Sequence, residues 1–393
     1  MALTGRQLNR ATLARQLLLE RRGVDVVEGV RLIVALQAQE PASPYIALWN
    51  RLAAFDPEQL DEAFVERSIV KATLMRITLH AVAADDYTQF HEAMLRVLRS
   101  SRLGDRRYTS TGLTIDDADV ALPQLVRYAS RPRTKDEIIG MLSDTAPVEP
   151  RLWWALRTFA PLIHVPTGGP WSFGRRQEFA SAPTTPARPD DRTALQHLIW
   201  RYLEGFGPAT AQDFGRFALQ RQAEIGAAVD AMADRLTILE GPGGETLFDI
   251  PGGLLPPADT PAPARLLGMW DSILLAYRDR RRIISDEDRA HVIRRNGDVL
   301  PTVLVDGYVR GVWRPTDDGI EVKAFRPMAD RHWNELVQEA GPLSTLVASR
   351  DPDTYRRYSR WWSELPHAEP VSYTHLTLPT MLAQCRSRWS PCH

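Results

Sequence analysis

Apolar residues recur at helical spacing along most of the chain and give way at intervals to short β-branched runs. Spacings of three and four mark an amphipathic helix, whereas alternation marks a half-buried strand. On this basis residues 5–20 form a helix, and VVEGVRLIVAL forms a second behind a capping box at Asp25 and Glu28. ASPYIALWNRLAAF reads as a third helix, and DPEQLDEAFVERS as a fourth opened by Asp56-Pro57. IVKATLMRITLHAVA is rich in β-branched and apolar residues and reads as a strand or two. AADDYTQFHEAMLRVLRSSRL returns to helix. Helices followed by a short β-ribbon are the pattern of a winged helix.

The pattern returns twice. TKDEIIGML, with Thr134 as N-cap, and RLWWALRTFA precede two short strands around Gly168-Gly169. DRTALQHLIWRYLEGFG turns at Gly207-Pro208 into TAQDFGRFAL, and RLTILEGPGGETLFDIP makes another wing. Pro/Ala-rich stretches at 181–190 and 256–264 read as linkers. After 264 the chain reads as strands, from ARLLGMWDSILLAYRDRRRIIS to GIEVKAFRP, with turns at Asp306-Gly307 and Asp317-Asp318-Gly319. A helix over 328–339 and a last one through DTYRRYSRWWSEL follow. The expected fold class is α+β: winged helices at 1–130, 131–185 and 190–258, then a small β-barrel or open sheet over 262–368.

Composition narrows the chemistry. Among 393 residues the net charge is −1, so any nucleic-acid site must be local. Only three lysines occur, Lys71, Lys135 and Lys323, and the other 45 of the 48 basic residues are arginine. Both cysteines, Cys385 and Cys392, lie near the end, so the body has no thiol nucleophile, disulfide or cysteine zinc site. No apolar run reaches the ~18 residues of a membrane span, and the start does not read as a signal peptide. A cytoplasmic protein is expected. The segment from Val371 reads VSYTHLTLPT, which resembles a translated sequencing adapter. Residues 371–393 are therefore expected to stand outside the fold, without long-range contacts.

The candidate chemistry centres on LQAQE at Leu36–Glu40, set before the proline-rich PASPYIALW. Residues two apart point about 200° apart on a helix but the same way in extended backbone. Pro41 pushes Glu40 out of the α region. Gln37 and Gln39 are therefore expected where a helix unravels, with both amides aimed at one spot. They could hold a water or polar ligand without adding charge, or merely cap the helix. Residues 71–107 carry seven basic against four acidic side chains, and RDRRR at 278–282 carries four arginines against one aspartate. Either run binds phosphate if it lines one face, and is otherwise solvated surface. His80 is either a structural histidine or part of the site, and Trp153-Trp154 is expected in the core. LEGFGPATA at 203–211 looks like a phosphate-gripping helix-hairpin-helix, but Glu204 replaces the expected proline.

Taken together, LNRATLARQLLLER, LQAQEPASPYIALW, VKATLMRITLHAV, FGPAT, ARLLGMWDSILLAYRDRRRI and VLVDGYVRGVW resemble the winged-helix DNA glycosylase family over most of residues 3–365. Gln37-Ala38-Gln39 resembles its glutamine–apolar–glutamine branch. That resemblance implies three tandem winged helices, a C-terminal β-barrel, and release of cationic N7-alkylated purines, with unhooking of interstrand crosslinks. It implies Gln37 and Gln39 as catalytic residues. The DNA-contacting candidates are Arg76, His80, Arg278, Arg280 and Arg282. No cofactor, metal or membrane is implied, and the partner is double-stranded DNA bound by a monomer. The chain departs from the family at Ala276-Tyr277, where a polar Ser-His or Ser-Tyr pair is usual. A cationic base leaves without protonation, so the enzyme must mainly orient a water at the anomeric carbon. With few lysines and none beside the motif in sequence, no Schiff base and no strand cleavage are expected. A catalytically silent winged-helix regulator, or a resistance protein that binds a genotoxin, is the alternative.

Overall fold

In the computed structural model, which describes residues 2–143, 150–183, 193–365 and 375–376, α1 (Gly5–Arg15) opens on a Thr4–Gln7 capping box. α2 (Val26–Ile33) opens on Asp25, whose carboxylate accepts from the Glu28 amide at 2.8 Å. Glu28 turns its own carboxylate to Arg31, so this capping box is only half made. α2 also stops earlier than its apolar pattern suggests. Val34 takes φ 75°, and the chain leaves the helix for the short strand β1 (Leu36–Gln37).

α3 (Ser43–Trp49) and α4 (Pro57–Val65) lead into β2 (Ile69–Thr73), a tight turn, and β3 (Leu79–Ala83). The long α5 (Ala84–Leu103) follows, then α6 (Arg106–Thr109) and α7 (Ile115–Tyr128). β4 (Arg133–Thr134) precedes α8 (Lys135–Ser143), where Thr134 and Glu137 make the expected cap. α9 (Pro150–Phe159) runs into β5 (Leu162–Val165) and β6 (Glu178–Ser181), joined through Gly168 and Gly169 at φ 80° and 99°. These strands form one antiparallel sheet in the order β1-β3-β2-β5-β6-β4. Lys71 opposite His164 is the seam, so the first ribbon and the second wing are continuous.

α10 (Ala194–Phe206), α11 (Ala211–Ala218) and α12 (Gln222–Asp230) precede a separate ribbon, β7 (Thr237–Glu240) and β8 (Thr246–Asp249). The Gly207-Pro208 segment is the turn between α10 and α11, and Thr210 caps α11 through a box with Asp213. LEGFGPATA thus carries the expected Gly-Pro turn between two helices. Residues 256–264 carry no regular element, whereas 184–190 of the other expected linker lie outside the described residues.

The C-terminal part departs from expectation. Of ARLLGMWDSILLAYRDRRRIIS, the first segment read as strand, only β9 (Arg265–Leu267) is a strand, and a 3-10 turn follows at Ser272–Leu274. Asp271 holds that turn, accepting from the Ile273 amide while it pairs with buried Arg51 at 2.8 Å. α13 (Asp286–Val292), β10 (Thr302–Val305), β11 (Tyr308–Thr316) and β12 (Gly319–Ala324) come next. α14 (Asp330–Arg350) runs past Pro342, well beyond the expected helix, and α15 (Ser359–Ser363) follows. Residues 375–376 form β13 (His375–Leu376), which pairs with β12 opposite Ile320 and Glu321. The expectation that 371–393 makes no long-range contact fails at these two residues, and the rest of that segment lies outside the described residues. The sheet order β13-β12-β11-β10-β9 is open, and no closed barrel is found among the described residues.

The fold is α+β, and two large apolar clusters bind its parts. One joins α1 to α4 with the β9–β12 sheet and α14, and the other joins the first sheet with α5, α7, α9 and α10 to α12. α1 is the strut between them. Arg10 pairs with Asp306, Thr12 hydrogen-bonds Tyr277 at 2.8 Å, and buried Arg15 pairs with Asp249 at 2.6 Å. No helix among the described residues is long and apolar enough to cross a membrane.

Candidate active site

β1 is two residues long, yet its register arranges the site. Gln37 lies opposite His80 and Leu36 opposite Ala81, and across β3 those two face Ala72 and Lys71. Directly opposed residues share a sheet face. Gln37 and His80 therefore lie on one face, and Lys71 on the other. Gln37 is buried at 6% exposure, whereas Gln39, just past the strand, is exposed. The QAQ segment is extended at its start, and the helix ends before it.

The turn between β2 and β3 supplies the third member. Arg76 and Ile77 take φ 54° and 60°, an uncommon region for residues with a Cβ that costs of order 1–3 kcal/mol each. That backbone brings the Arg76 guanidinium onto Gln37. Its Nη2 donates to Gln37 Oε1 at 2.7 Å and to His80 Nε2 at 3.2 Å, and Nη1 reaches the Phe217 carbonyl at 3.4 Å. Arginine only donates, which assigns the neighbouring atoms. Gln37 presents its oxygen to Arg76, and His80 Nε2 carries no proton. His80 Nδ1 then donates to the Thr78 carbonyl at 3.0 Å. Burial, with Arg76 second, pushes the His80 pKa down to about 3, so the imidazole is neutral throughout the physiological range. Burial and the nearby Arg216 and Arg280 also lower the Arg76 pKa. Gln39 Oε1 has one long contact, 3.5 Å from the Leu79 amide, so it is essentially free.

The other face holds what sequence spacing missed. Lys71 is 4% exposed, and its Nζ sits 4.1 Å over the Phe173 ring. Burial lowers its pKa to about 8 against the pull of Glu40. Glu40, raised by burial, pairs with Arg357 at 2.8 Å. A lysine thus lies two strands from the motif, but the sheet separates it from Gln37.

The arginine runs divide unevenly. In the 71–107 stretch Arg96 pairs with Glu224, Arg99 with Asp119 at 2.7 Å, and Arg107 with Asp105 at 2.7 Å. Arg102 bonds Thr158 at 2.9 Å and lies over Trp154. Arg96 and Arg99 are thus neutralised by acids far off in sequence, and Arg107 by its near neighbour. Trp153 is core, packed edge-on to Phe179. In 278–282, Arg281 is paired with Asp279 and Arg278 is exposed. Arg280 is half-buried, with Nε lacking any partner. Arg282 turns inward: its side chain is 7% exposed, 3.9 Å over the Tyr277 ring, and donates to the Pro208 carbonyl. The structure thus gathers Gln37, Arg76 and His80 closely, brings Arg280 within electrostatic reach of Arg76, and leaves Arg282 as a support for the α10–α11 turn. Tyr277 is fully buried, its hydroxyl donating to the Phe206 carbonyl, so the Ala276-Tyr277 departure lies in the core. No metal-binding cluster occurs among the described residues.

Comparison with known proteins agrees with this picture. A family model described as DNA glycosylase AlkZ-like matches residues 30–346. An interstrand DNA cross-link repair glycosylase of Streptomyces sahachiroi is 26% identical over 346 residues, 83% of this chain and 91% of its own. The solved structure of Streptomyces sahachiroi DNA glycosylase AlkZ is similar at a TM-score of 0.73 and 23% identity. That likeness covers 86% of this chain and 95% of the solved one.

Proposed function

The chain belongs to the AlkZ-like DNA glycosylase family, hydrolases of N-glycosyl bonds, and from that premise we propose a monofunctional enzyme for cationic N7-alkylated purines. Its reading extends to interstrand crosslinks, which the name of the Streptomyces relative assigns to that protein. The observation that carries the proposal is the Gln37 amide fixed by Arg76, with Gln39 two residues on and its Oε1 held by only one long contact. Arg76 takes one lone pair of Gln37 Oε1, leaving a second that can accept from a water. Gln39 Oε1 offers the other acceptor. Two neutral acceptors orient a water toward an anomeric carbon already losing its base, and no general acid is needed for a cationic leaving group. His80 keeps Arg76 in place through a fixed tautomer and does not shuttle protons.

Lys71, on the far sheet face, is poorly placed to attack the sugar, which supports base release without strand cleavage. DNA contact is assigned to Arg76, Arg278 and Arg280, and Arg282 is assigned a supporting role. We read 1–130, 131–185 and 190–258 as three winged helices, and 262–368 as an open counterpart of the expected barrel, together binding duplex DNA as a monomer. The test is incubation with duplexes carrying 7-methylguanine or a nitrogen-mustard crosslink, scoring abasic sites. Borohydride trapping of a covalent adduct would refute the monofunctional reading, and a lack of abasic sites on both substrates would refute glycosylase activity.

A further inference from the structure

A cleft of about 600 Å3 is lined in part by Arg216 of α11, next in sequence to the Phe217 whose carbonyl Arg76 reaches, and by Arg278, Arg280 and Arg289 of α13. Its remaining lining residues are Gly, Leu and Gln, with no carboxylate. Several buried arginines elsewhere in the fold are met by acids, as Arg10 is by Asp306, Arg15 by Asp249 and Arg51 by Asp271. Here the guanidinium groups of Arg216, Arg278 and Arg280 have no carboxylate partner among the described residues, although the Arg278 backbone N–H donates to Asp213 at 2.8 Å. Arg289 has only Asp286, 3.6 Å away on the surface. Arg280 is the most constrained, with a buried Nε that bonds nothing. Like charges held this close, partly out of water, oppose one another unless an anion joins them.

We infer that Arg216, Arg280 and Arg289 form a subsite for one backbone phosphate of the substrate strand, immediately beside the reacting nucleotide. The reasoning rests on the glycosylase reading above. Arginine forks grip phosphate oxygens in pairs, and Arg280 has an unmatched N–H. The cleft is far larger than one phosphate group and has room for the sugars on either side. Arg76 links it to the amide pair, since Arg216 and Arg280 both act on the Arg76 charge while Arg76 touches Gln37. A phosphate in the cleft would offset the arginine charge that otherwise repels a cationic purine, and would favour the positive sugar of the transition state. Arg216 and Arg289 lie far in sequence from the 278–282 run, and no basic motif marks them.

The test uses the full protein and duplexes carrying one 7-methylguanine, with a single neutral methylphosphonate placed in turn at each linkage on both sides of it. Arg216→Ala is expected to lower kcat/KM about tenfold on the all-phosphate duplex, with Arg216→Lys recovering part of the loss. Arg216 is exposed, so its melting temperature should match wild type. One methylphosphonate position should cost wild type a similar factor, and at that position Arg216→Ala should cost nothing more. If Arg216→Ala keeps its full penalty at every position, no single phosphate is held there and the proposal is overturned. Titration of undamaged duplex against salt gives a readout independent of catalysis. The slope should fall by about one for Arg216→Ala, and an unchanged slope also overturns the subsite. Should wild type release no base, the glycosylase reading fails while the salt slope still decides the subsite.

Discussion

At the scale of single residues the site is a chain of assigned hydrogen bonds: Thr78 carbonyl, His80, Arg76, Gln37. Each link has one direction because arginine cannot accept. Replacing Gln37 or Gln39 by alanine should slow excision of 7-methylguanine on the order of a hundredfold, the usual cost of lost orientation. DNA affinity should hardly change, because phosphate contacts carry it. Gln39→Asp should keep activity, since it supplies an acceptor with charge. If both alanine variants excise at the wild-type rate, the amides do not hold the water. Acid should act on stability before it acts on chemistry. His80 holds its pKa near 3 when folded, against 6.5 when free. Between these values the unfolded chain binds a proton that the folded one refuses. Stability is therefore full above about pH 6.5 and falls as pH drops toward 3, with His91 and His164 adding in the same sense and Glu40 opposing. For His80 alone the loss at pH 5 is on the order of 2 kcal/mol. Melting curves from pH 7 to pH 5 check this, and a temperature that holds or rises would count against it.

At the scale of elements, local signals set the ends and long-range contacts set the lengths. The Thr4, Thr134, Thr193 and Thr210 boxes sit where helices begin. α2 yields early because Val34 and Ala35 must turn into β1 against β3, a pairing more than forty residues away in sequence. The Asp306-Gly307 turn was legible as a hairpin turn, but its docking was not. Gly307 takes φ 79°, and a Cβ there would lie 2.5 Å from Asn9 Oδ1 and 2.6 Å from Leu13 Cδ1. Its carbonyl accepts from Asn9 Nδ2 at 2.8 Å. Gly307→Ala combines a left-handed strain with overpacking, and about 2–4 kcal/mol of stability should be lost. A denaturant midpoint equal to wild type would show that α1 and the β10–β11 turn move independently.

At the scale of the whole molecule, a net charge of −1 requires binding charge to be concentrated. The fold pairs many arginines with acids and leaves the guanidinium groups of Arg216, Arg278 and Arg280 together on one cleft without one. Two arginines separated by one residue, Arg280 and Arg282, should consequently behave differently. Arg280→Ala should weaken binding to all duplexes alike and flatten the salt dependence. Arg282→Ala should instead lower the melting temperature, because it removes the packing on Tyr277 and the bond to the Pro208 carbonyl. Duplex titrations at several salt concentrations, run beside thermal melts, separate the two. The same effect in both variants would mean that Arg282 also faces DNA.

Much of this protein was written locally. Periodicity, caps and Gly turns placed the helices of the repeated units and several of the ribbons, because those signals act within a few residues. The QAQ spacing before Pro41 drew attention to the candidate site, and the extended backbone expected at Gln37 is present in β1. Only the tertiary structure decided which charges stay free, since Arg96 and Arg99 meet acids more than 15 residues away. It alone put Lys71 behind the sheet, joined the first two ribbons at Lys71–His164, and left the C-terminal sheet open. Pairing partner, sheet face and charge compensation depend on contacts between distant segments, and no local pattern encodes them.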